Sequence, residues 1–117
     1  MSPIRSLTAT ILIATIGYVA MIPGSSALAE SPVFTLTIRN HQFEPTELVI
    51  PAGQKIELRV KNADATAEEF ESTSLRREKV VPGGQEVTIY IGPLTPGRYE
   101  FFGDFNPKTA RGAIVAR

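Results

Sequence analysis

The stretch that decides the fold class is Lys55-Ile56-Glu57-Leu58-Arg59-Val60-Lys61. Its apolar side chains alternate strictly with charged ones. A period of two puts one set of side chains on a buried face and the other in water, which is typical of a β-strand. Residues 34–39 and 87–91 repeat the alternation, so the sequence predicts several half-buried strands.

Turn-forming segments separate these apolar runs. The clearest are Pro51-Ala52-Gly53, Asn62-Ala63-Asp64, Pro82-Gly83-Gly84, Gly92-Pro93 and Pro96-Gly97. No segment after residue 29 keeps a helical period for long, and residues 68–79 have room for one helical turn at most. We therefore predict an all-β sandwich or barrel of six to eight short strands. Functional groups are expected on the loops between strands, at residues 41–45, 63–71 and 103–110.

The first part of the chain has the features of an export signal. Arg5 is its only charged side chain before Glu30, and residues 7–22 form an uncharged apolar run. Pro23-Gly24 ends this run, and Ala27-Leu28-Ala29 fits the small-residue rule for signal peptidase.

We predict a Sec-type secretory signal peptide at residues 1–29 and one domain at residues 30–117, with cleavage after Ala29. The predicted location of the domain is the periplasm, with no membrane span once the signal is removed. The alternative is an uncleaved anchor, because the apolar run approaches the length of a membrane span.

The composition excludes several classes of protein. Twelve basic residues balance twelve acidic ones, which argues against nucleic acid as a partner. The sequence has no cysteine, so disulfides, thiolate metal sites, iron–sulfur clusters and a cysteine nucleophile are excluded. No nucleophile elbow, phosphate-binding loop or dinucleotide fingerprint is present, so no catalytic residue is predicted.

Several segments, in this order, resemble the small copper proteins called cupredoxins. Phe43-x-Pro45, Leu48-Val49-Ile50 and Ala52-Gly53-x-Lys55-Ile56 are similar to their early strands. Pro96-Gly97-Arg98-Tyr99-x-Phe101 is similar to the strand that enters their C-terminal ligand loop. The resemblance covers nearly all of residues 31–117 and implies a cupredoxin-like Greek-key β-sandwich.

The same resemblance shows what stands at the copper-ligand positions. It puts Gly103 at the cysteine, Asn106 at the following histidine, Thr109 or Ala110 at the methionine, and Glu68 near the first histidine. A trigonal blue-copper site needs thiolate and imidazole at these places. We therefore expect a protein that is not a blue-copper electron carrier.

A narrower resemblance is carried by Glu68-Glu69-Phe70-Glu71-Ser72, Leu75-Arg76-Arg77-Glu78-Lys79 and Phe101-Phe102-Gly103-Asp104-Phe105-Asn106. These segments are similar to the EfeO-type cupredoxin-like domains, which are periplasmic and associated with bacterial iron uptake. The resemblance implies an accessory protein of iron or copper uptake that binds an iron or copper ion. Its implied partner is an iron permease or another periplasmic or membrane component of the uptake system.

His41, Glu68, Glu69 and Asp104 are the predicted metal ligands, because the cupredoxin topology would gather them at one pole. One imidazole with carboxylates suits Fe²⁺, Fe³⁺, Cu²⁺, Mn²⁺ or Zn²⁺ and does not select Cu⁺. Since Glu69 and Glu71 alternate with Phe70, we expect Phe70 in the core and both acids on the outside.

Each candidate ligand also has a structural interpretation. His41 is alternatively a solvent-exposed turn residue, and Asp104 a carboxylate that orders its loop by accepting backbone N–H bonds. Residues 68–71 are alternatively a charged loop and strand edge paired with nearby basic side chains, Arg76, Arg77 and Lys79.

The second functional hypothesis is a metal-free interaction module that docks on a permease or a periplasmic partner. Its predicted pole or docking residues are Phe43, Phe102, Phe105 and Asn106, although phenylalanines of such a domain are more often core. The third hypothesis is that the chain is a component of a ferroxidase. Of the three hypotheses, only this one would make the chain part of an enzyme.

Overall fold

The computed structural model describes residues 30–117, together with Pro3 and Gly17. The predicted signal peptide at residues 1–29 and its cleavage site therefore lie outside the described residues, apart from those two positions. Within the described part of the chain, no helix is both long enough and apolar enough to cross a membrane.

Residues 30–117 form nine β-strands. They are β1 Val33–Arg39, β2 Gln42–Glu44, β3 Glu47–Ile50, β4 Ile56–Asn62, β5 Glu68–Ser72, β6 Arg77–Val81, β7 Glu86–Ile91, β8 Gly97–Gly103 and β9 Arg111–Ala116. The all-β prediction is confirmed, and the strand number exceeds the predicted six to eight. The difference comes from β2 and β5, which lie in stretches predicted as loops. β2 is too short to show a period, and β5 is rich in glutamate, which strands usually avoid.

The strands build a sandwich of two mixed sheets. The first sheet has the order β2-β1-β4-β7 and the second the order β3-β9-β8-β5-β6. β1 pairs with β4 in parallel, as does β3 with β9, and the other pairs are antiparallel. β5 thus lies between β6 and β8 in the second sheet, which matters for the site described below.

The core follows the alternation of the sequence. Ile56, Leu58 and Val60 of β4 are all fully buried, as their period of two predicts. Three phenylalanines fill the space between the sheets, with ring-centroid distances of 4.9, 5.1 and 6.2 Å; they are Phe43, Phe70 and Phe101. Phe43 meets the other two rings edge to face, a contact that stabilises aromatic pairs beyond their buried area.

One end of the sandwich gathers the loops that the sequence singled out. The backbone N–H of Asn40 donates to the Asp64 carboxylate at 2.8 Å, and the Thr109 hydroxyl donates to the His41 carbonyl oxygen at 2.7 Å. The loop at residues 103–110 is closed on itself by backbone hydrogen bonds. We call this end of the sandwich the pole.

Candidate functional site

β5 divides its acidic side chains between the two faces of the second sheet. Glu68 and Phe70 face the interior and are 1% and 0% exposed. Glu69 and Glu71 occupy the alternate positions and therefore lie on the outer face. The prediction of a core Phe70 flanked by two outward acids agrees with this arrangement.

Asp104 joins the two outward acids from the neighbouring strand. Its backbone N–H donates to the carbonyl oxygen of Glu69 at 2.9 Å, which places the residue after β8 beside β5. One carboxylate oxygen from each of Glu69, Glu71 and Asp104 then lies within 4.8 Å of the other two. We call these three residues the carboxylate cluster.

The carboxylate cluster has no basic partner in the described part of the chain. The salt bridges of residues 30–117 all lie elsewhere. Arg77 donates instead to the backbone carbonyl oxygens of Tyr90, Leu75 and Arg76. The alternative interpretation, pairing of the acids with Arg76, Arg77 and Lys79, is therefore contradicted by the geometry.

Glu69 is the most enclosed member of the cluster. The residue is only 8% exposed, and its Oε1 is buried without a hydrogen-bond partner. Buried polar atoms are nearly always hydrogen-bonded, so an orphaned oxygen calls for a physical reason. No hydrogen-bond donor among residues 30–117 reaches this oxygen.

Negative charge accumulates around the cluster. A hydrogen bond shared with Glu78, then removal from water, then the charges of Glu78, Asp104 and Glu71 raise the pKa of Glu69 from 4.5 to about 7. Removal from water and the charges of Asp104 and Glu78 also raise the pKa of Glu71. Strongly shifted groups of this kind are enriched at functional sites.

The structure does not bring Glu68 into the cluster. Its Oε1 accepts the backbone N–H of Glu69 at 3.0 Å and that of Phe105 at 2.9 Å, and its Oε2 accepts the Asn106 side-chain amide at 2.6 Å. Glu68 therefore fills the loop-ordering role that the sequence suggested as an alternative for Asp104.

His41 is also absent from the cluster. It follows Asn40 in a turn where both residues have positive φ angles, 52° and 57°, and both backbone N–H groups donate to the Asp64 carboxylate. The hydrogen bond from His41, followed by the one from Asn40, lowers the pKa of Asp64 against the effect of burial. The imidazole Nδ1 lies 3.6 Å from Asp64 Oδ2. Its place in the fold is that of an exposed turn residue.

The predicted docking residues separate into three environments. Phe43 is 1% exposed and packs in the core, so it has no surface to offer a partner, and its assignment to a docking face is corrected. Phe102 is half-buried below the Arg111 guanidinium, 5.9 Å from its ring centroid. Phe105 is 49% exposed at the pole, and Asn106 is held by Glu68.

Two residues of this region were missed as site residues. Glu71 shares the outer face with Glu69, and the period of two in β5 was sufficient to include it. Asp64 holds the turn at His41 from 23 positions away in the chain, and no local pattern connects the two.

The sequence model described as cupredoxin-like domain matches residues 11–116 of this chain. The chain is also similar to a curated protein of Rickettsia prowazekii (strain Madrid E), "Uncharacterized protein RP394", with 48% identity over 80 residues. The matched stretch is 68% of this chain and 64% of the relative, which is less than two thirds of that protein's length.

Solved structures share the fold at low sequence identity. Auracyanin A, a blue copper protein of Chloroflexus aurantiacus, has a TM-score of 0.63 and 15% identity, covering 73% of this chain and 98% of its own. The metal binding domain of the Cu(I) exporting ATPase CopA of Streptococcus pneumoniae D39 has a TM-score of 0.61 and 17% identity, covering 73% and 84%.

Proposed function

Because this chain belongs to the family of cupredoxin-like domains, we propose that it is a periplasmic accessory protein of metal uptake that binds a hard cation at the carboxylate cluster. The observation that carries the proposal is the cluster itself: Glu69, Glu71 and Asp104 converge without a basic partner among residues 30–117, and a buried oxygen of Glu69 has no donor. A bound cation would supply both the missing charge and the missing partner.

The carboxylate donor set indicates which ions fit. Oxygen donors suit hard cations such as Mg²⁺, Ca²⁺ and Mn²⁺, and several carboxylates together favour a high positive charge. Iron as Fe³⁺ belongs to this class, and the resemblance to the EfeO-type domains supports iron as the cargo. The export signal in the sequence supports a periplasmic site of action, and the EfeO-type resemblance supports an iron permease as partner.

Copper at the place used by the family's copper proteins does not fit these residues. The positions that the resemblance matches to the copper ligands hold Glu68, Gly103, Asn106 and either Thr109 or Ala110. The Glu68 carboxylate already accepts three N–H donors, and a Cβ at Gly103 would lie 2.6 Å from Glu68 Cδ and 2.7 Å from Ala110 Cβ. This space is filled by protein atoms and offers no sulfur or imidazole donor.

The test is a cation titration of the purified protein, with Fe³⁺ supplied as its nitrilotriacetate complex and Mn²⁺ as a second probe. Calorimetry gives affinity and stoichiometry, and electron paramagnetic resonance reports the ligand field. We expect one ion per chain. Glu69→Gln and Asp104→Asn should each weaken binding by about tenfold or more, as expected when a ligand loses its charge.

Glu100→Gln is the matched control, because Glu100 lies on β8 of the same sheet with a side chain 81% exposed and outside the cluster. It should leave the affinity unchanged. A wild-type protein that binds neither probe, or that binds both equally well after Glu69→Gln, would contradict the proposal.

The metal-free docking module remains the second candidate, and the exposure of Phe105 favours it. Phe105 follows Asp104 in the chain and both residues are exposed, so both lie within reach of one partner. A partner captured equally by the wild type and by Glu69→Gln, but not by Phe105→Ser, would support docking in place of metal binding.

A further inference from the structure

Glu68 is a buried acid at the centre of the pole that the cation site itself does not use. We propose that Glu68 is the positioning residue of the carboxylate cluster, holding β5 and the loop after β8 so that Glu69 and Asp104 meet on the outer face. The inference rests on the proposed function, because it concerns the same cation site.

The surroundings of Glu68 consist of donors alone. Two backbone N–H groups, those of Glu69 and Phe105, point at Oε1, and the Asn106 amide nitrogen points at Oε2. A carboxylate only accepts, whereas a glutamine would direct its own NH₂ at one of these donors. Glutamate therefore satisfies the three donors as they stand, whereas a glutamine would do so only if the Asn106 amide turned its oxygen toward the new NH₂.

The two backbone bonds of Glu68 act on the segments that carry the ligands. One bond ends on Glu69 itself, and the other ends on Phe105, the residue after Asp104. The backbone bond from Asp104 to Glu69 lies between them. Glu68 thus clamps the two segments from inside the sandwich, while their carboxylates converge on the opposite face of the sheet.

Gly103 is the residue that leaves room for this clamp. A Cβ at position 103 would lie 2.6 Å from Glu68 Cδ and 2.8 Å from its Oε1. Separations below 3.0 Å force one of the groups to move. Alanine at this position would therefore press on both the Glu68 carboxylate and the Ala110 methyl group, which lies 2.7 Å away, while leaving every charge and every cluster residue in the chain.

The experiment compares Mn²⁺ affinity with backbone position in the purified protein. Glu68→Gln and Gly103→Ala should each weaken Mn²⁺ binding by about tenfold or more, the usual cost of removing a group that orients a metal ligand. In ¹⁵N-resolved spectra, both should move the amide resonances of Glu69 and Phe105. Gly103→Ala keeps the charge of Glu68, so its effect excludes simple loss of negative charge.

A rescue and a control make the test specific. In the double variant Glu68→Gln/Asn106→Asp, the new amide can donate to the new carboxylate while its oxygen accepts the two backbone N–H groups, so most of the affinity should return. Gly112→Ala is the matched control: its Cβ would lie 2.5 Å from the Phe101 ring, so it strains the core of the same sheet without touching Glu68. It should lower thermal stability and leave Mn²⁺ affinity unchanged.

The outcomes separate the two proposals. If the wild type binds Mn²⁺ and Glu68→Gln and Gly103→Ala bind it equally well, the positioning role is wrong and the proposed function stands. If Gly112→Ala weakens binding as much as they do, the effect is general destabilisation and the positioning role is also wrong. If the wild type binds neither Mn²⁺ nor Fe³⁺, both proposals are wrong.

Discussion

Glu71 of β5 stands directly opposite Glu78 of β6 in antiparallel register. On its other side, Glu71 faces Phe102 of β8, so neither cross-strand neighbour supplies a positive charge. Like charges in such positions destabilise a sheet. The pair therefore leaves negative charge uncompensated on the outer face of the second sheet, and the proposed cation would offset that charge.

Replacing Glu78 by lysine should exchange this repulsion for attraction. We expect the free energy of unfolding of the metal-free protein to rise by about 0.5–1 kcal/mol, the usual scale of a cross-strand charge pair. The added ammonium would compete with a metal ion, so Mn²⁺ affinity should fall. Urea unfolding and titration measure the two effects. Glu100→Lys, on the same face beside Arg98, should bring no gain in stability, and a gain of equal size would contradict the assignment.

The raised pKa of Glu69 predicts a pH dependence of stability. The folded protein holds the Glu69 proton up to about pH 7, whereas the unfolded chain releases it near the ordinary value of 4.5. The folded state thus binds more protons between these values, and the stability of the metal-free protein falls as the pH rises from about 4.5 to about 7.

Thermal unfolding in the absence of metal, between pH 4.5 and pH 8, checks this direction. Glu69→Gln should flatten the profile over that interval, because the amide does not titrate. A wild-type profile that rises across the interval would show that Glu69 does not carry the proton.

Truncation of Phe43 should destabilise the fold much more than truncation of Phe105. Phe43→Ala removes a ring that contacts two others in the core, so it should cost about 3–5 kcal/mol of unfolding free energy. Phe105→Ser changes a ring that is 49% exposed and should stay within about 0.5 kcal/mol of the wild type. Chemical denaturation of both variants tests whether the burial assigned to each ring is right.

Asp64 and His41 should matter for the turn and not for the cation. Asp64→Ala leaves the N–H groups of Asn40 and His41 without their acceptor, so we expect a loss of about 1–3 kcal/mol in stability. His41→Ala keeps both backbone donors and should cost less. Neither variant should alter Mn²⁺ affinity, and weaker binding by His41→Ala would restore histidine to the ligand set.

Much of the fold was accessible from local patterns. The alternation in residues 56–60 required a strand with one buried face, and the turn residues between apolar runs marked where strands end. The alternation of Glu69, Phe70 and Glu71 predicts the faces of β5, but the extent of the strand was not predicted, because buried Glu68 breaks the pattern of apolar residues inside and acids outside. The cost of burying the Glu68 carboxylate is offset by hydrogen-bond donors from Phe105 and Asn106. These residues lie more than 30 positions away in the chain.

Only part of the candidate site could be predicted from the sequence. Glu69 and Asp104 were predicted together, but their contact and the pairing of Glu71 with Glu78 depend on strand register. A shift of one residue in β5 would exchange the inner and outer faces. The sequence predicts the correct end of the sandwich for His41. In the structure its imidazole lies near Asp64, and only the fold brings these two residues together.

The position of the carboxylate cluster on the outside of a sheet has a consequence for exchange. An ion bound there as we propose would be enclosed beside buried Glu69, whereas the hemisphere of its coordination shell beside exposed Asp104 would stay open to solvent. Oxygen ligands from another molecule can enter that hemisphere and take over the ion step by step, without any strand having to separate. Such an arrangement would suit an ion that is passed onward more than one that is retained, as the proposed role in uptake requires.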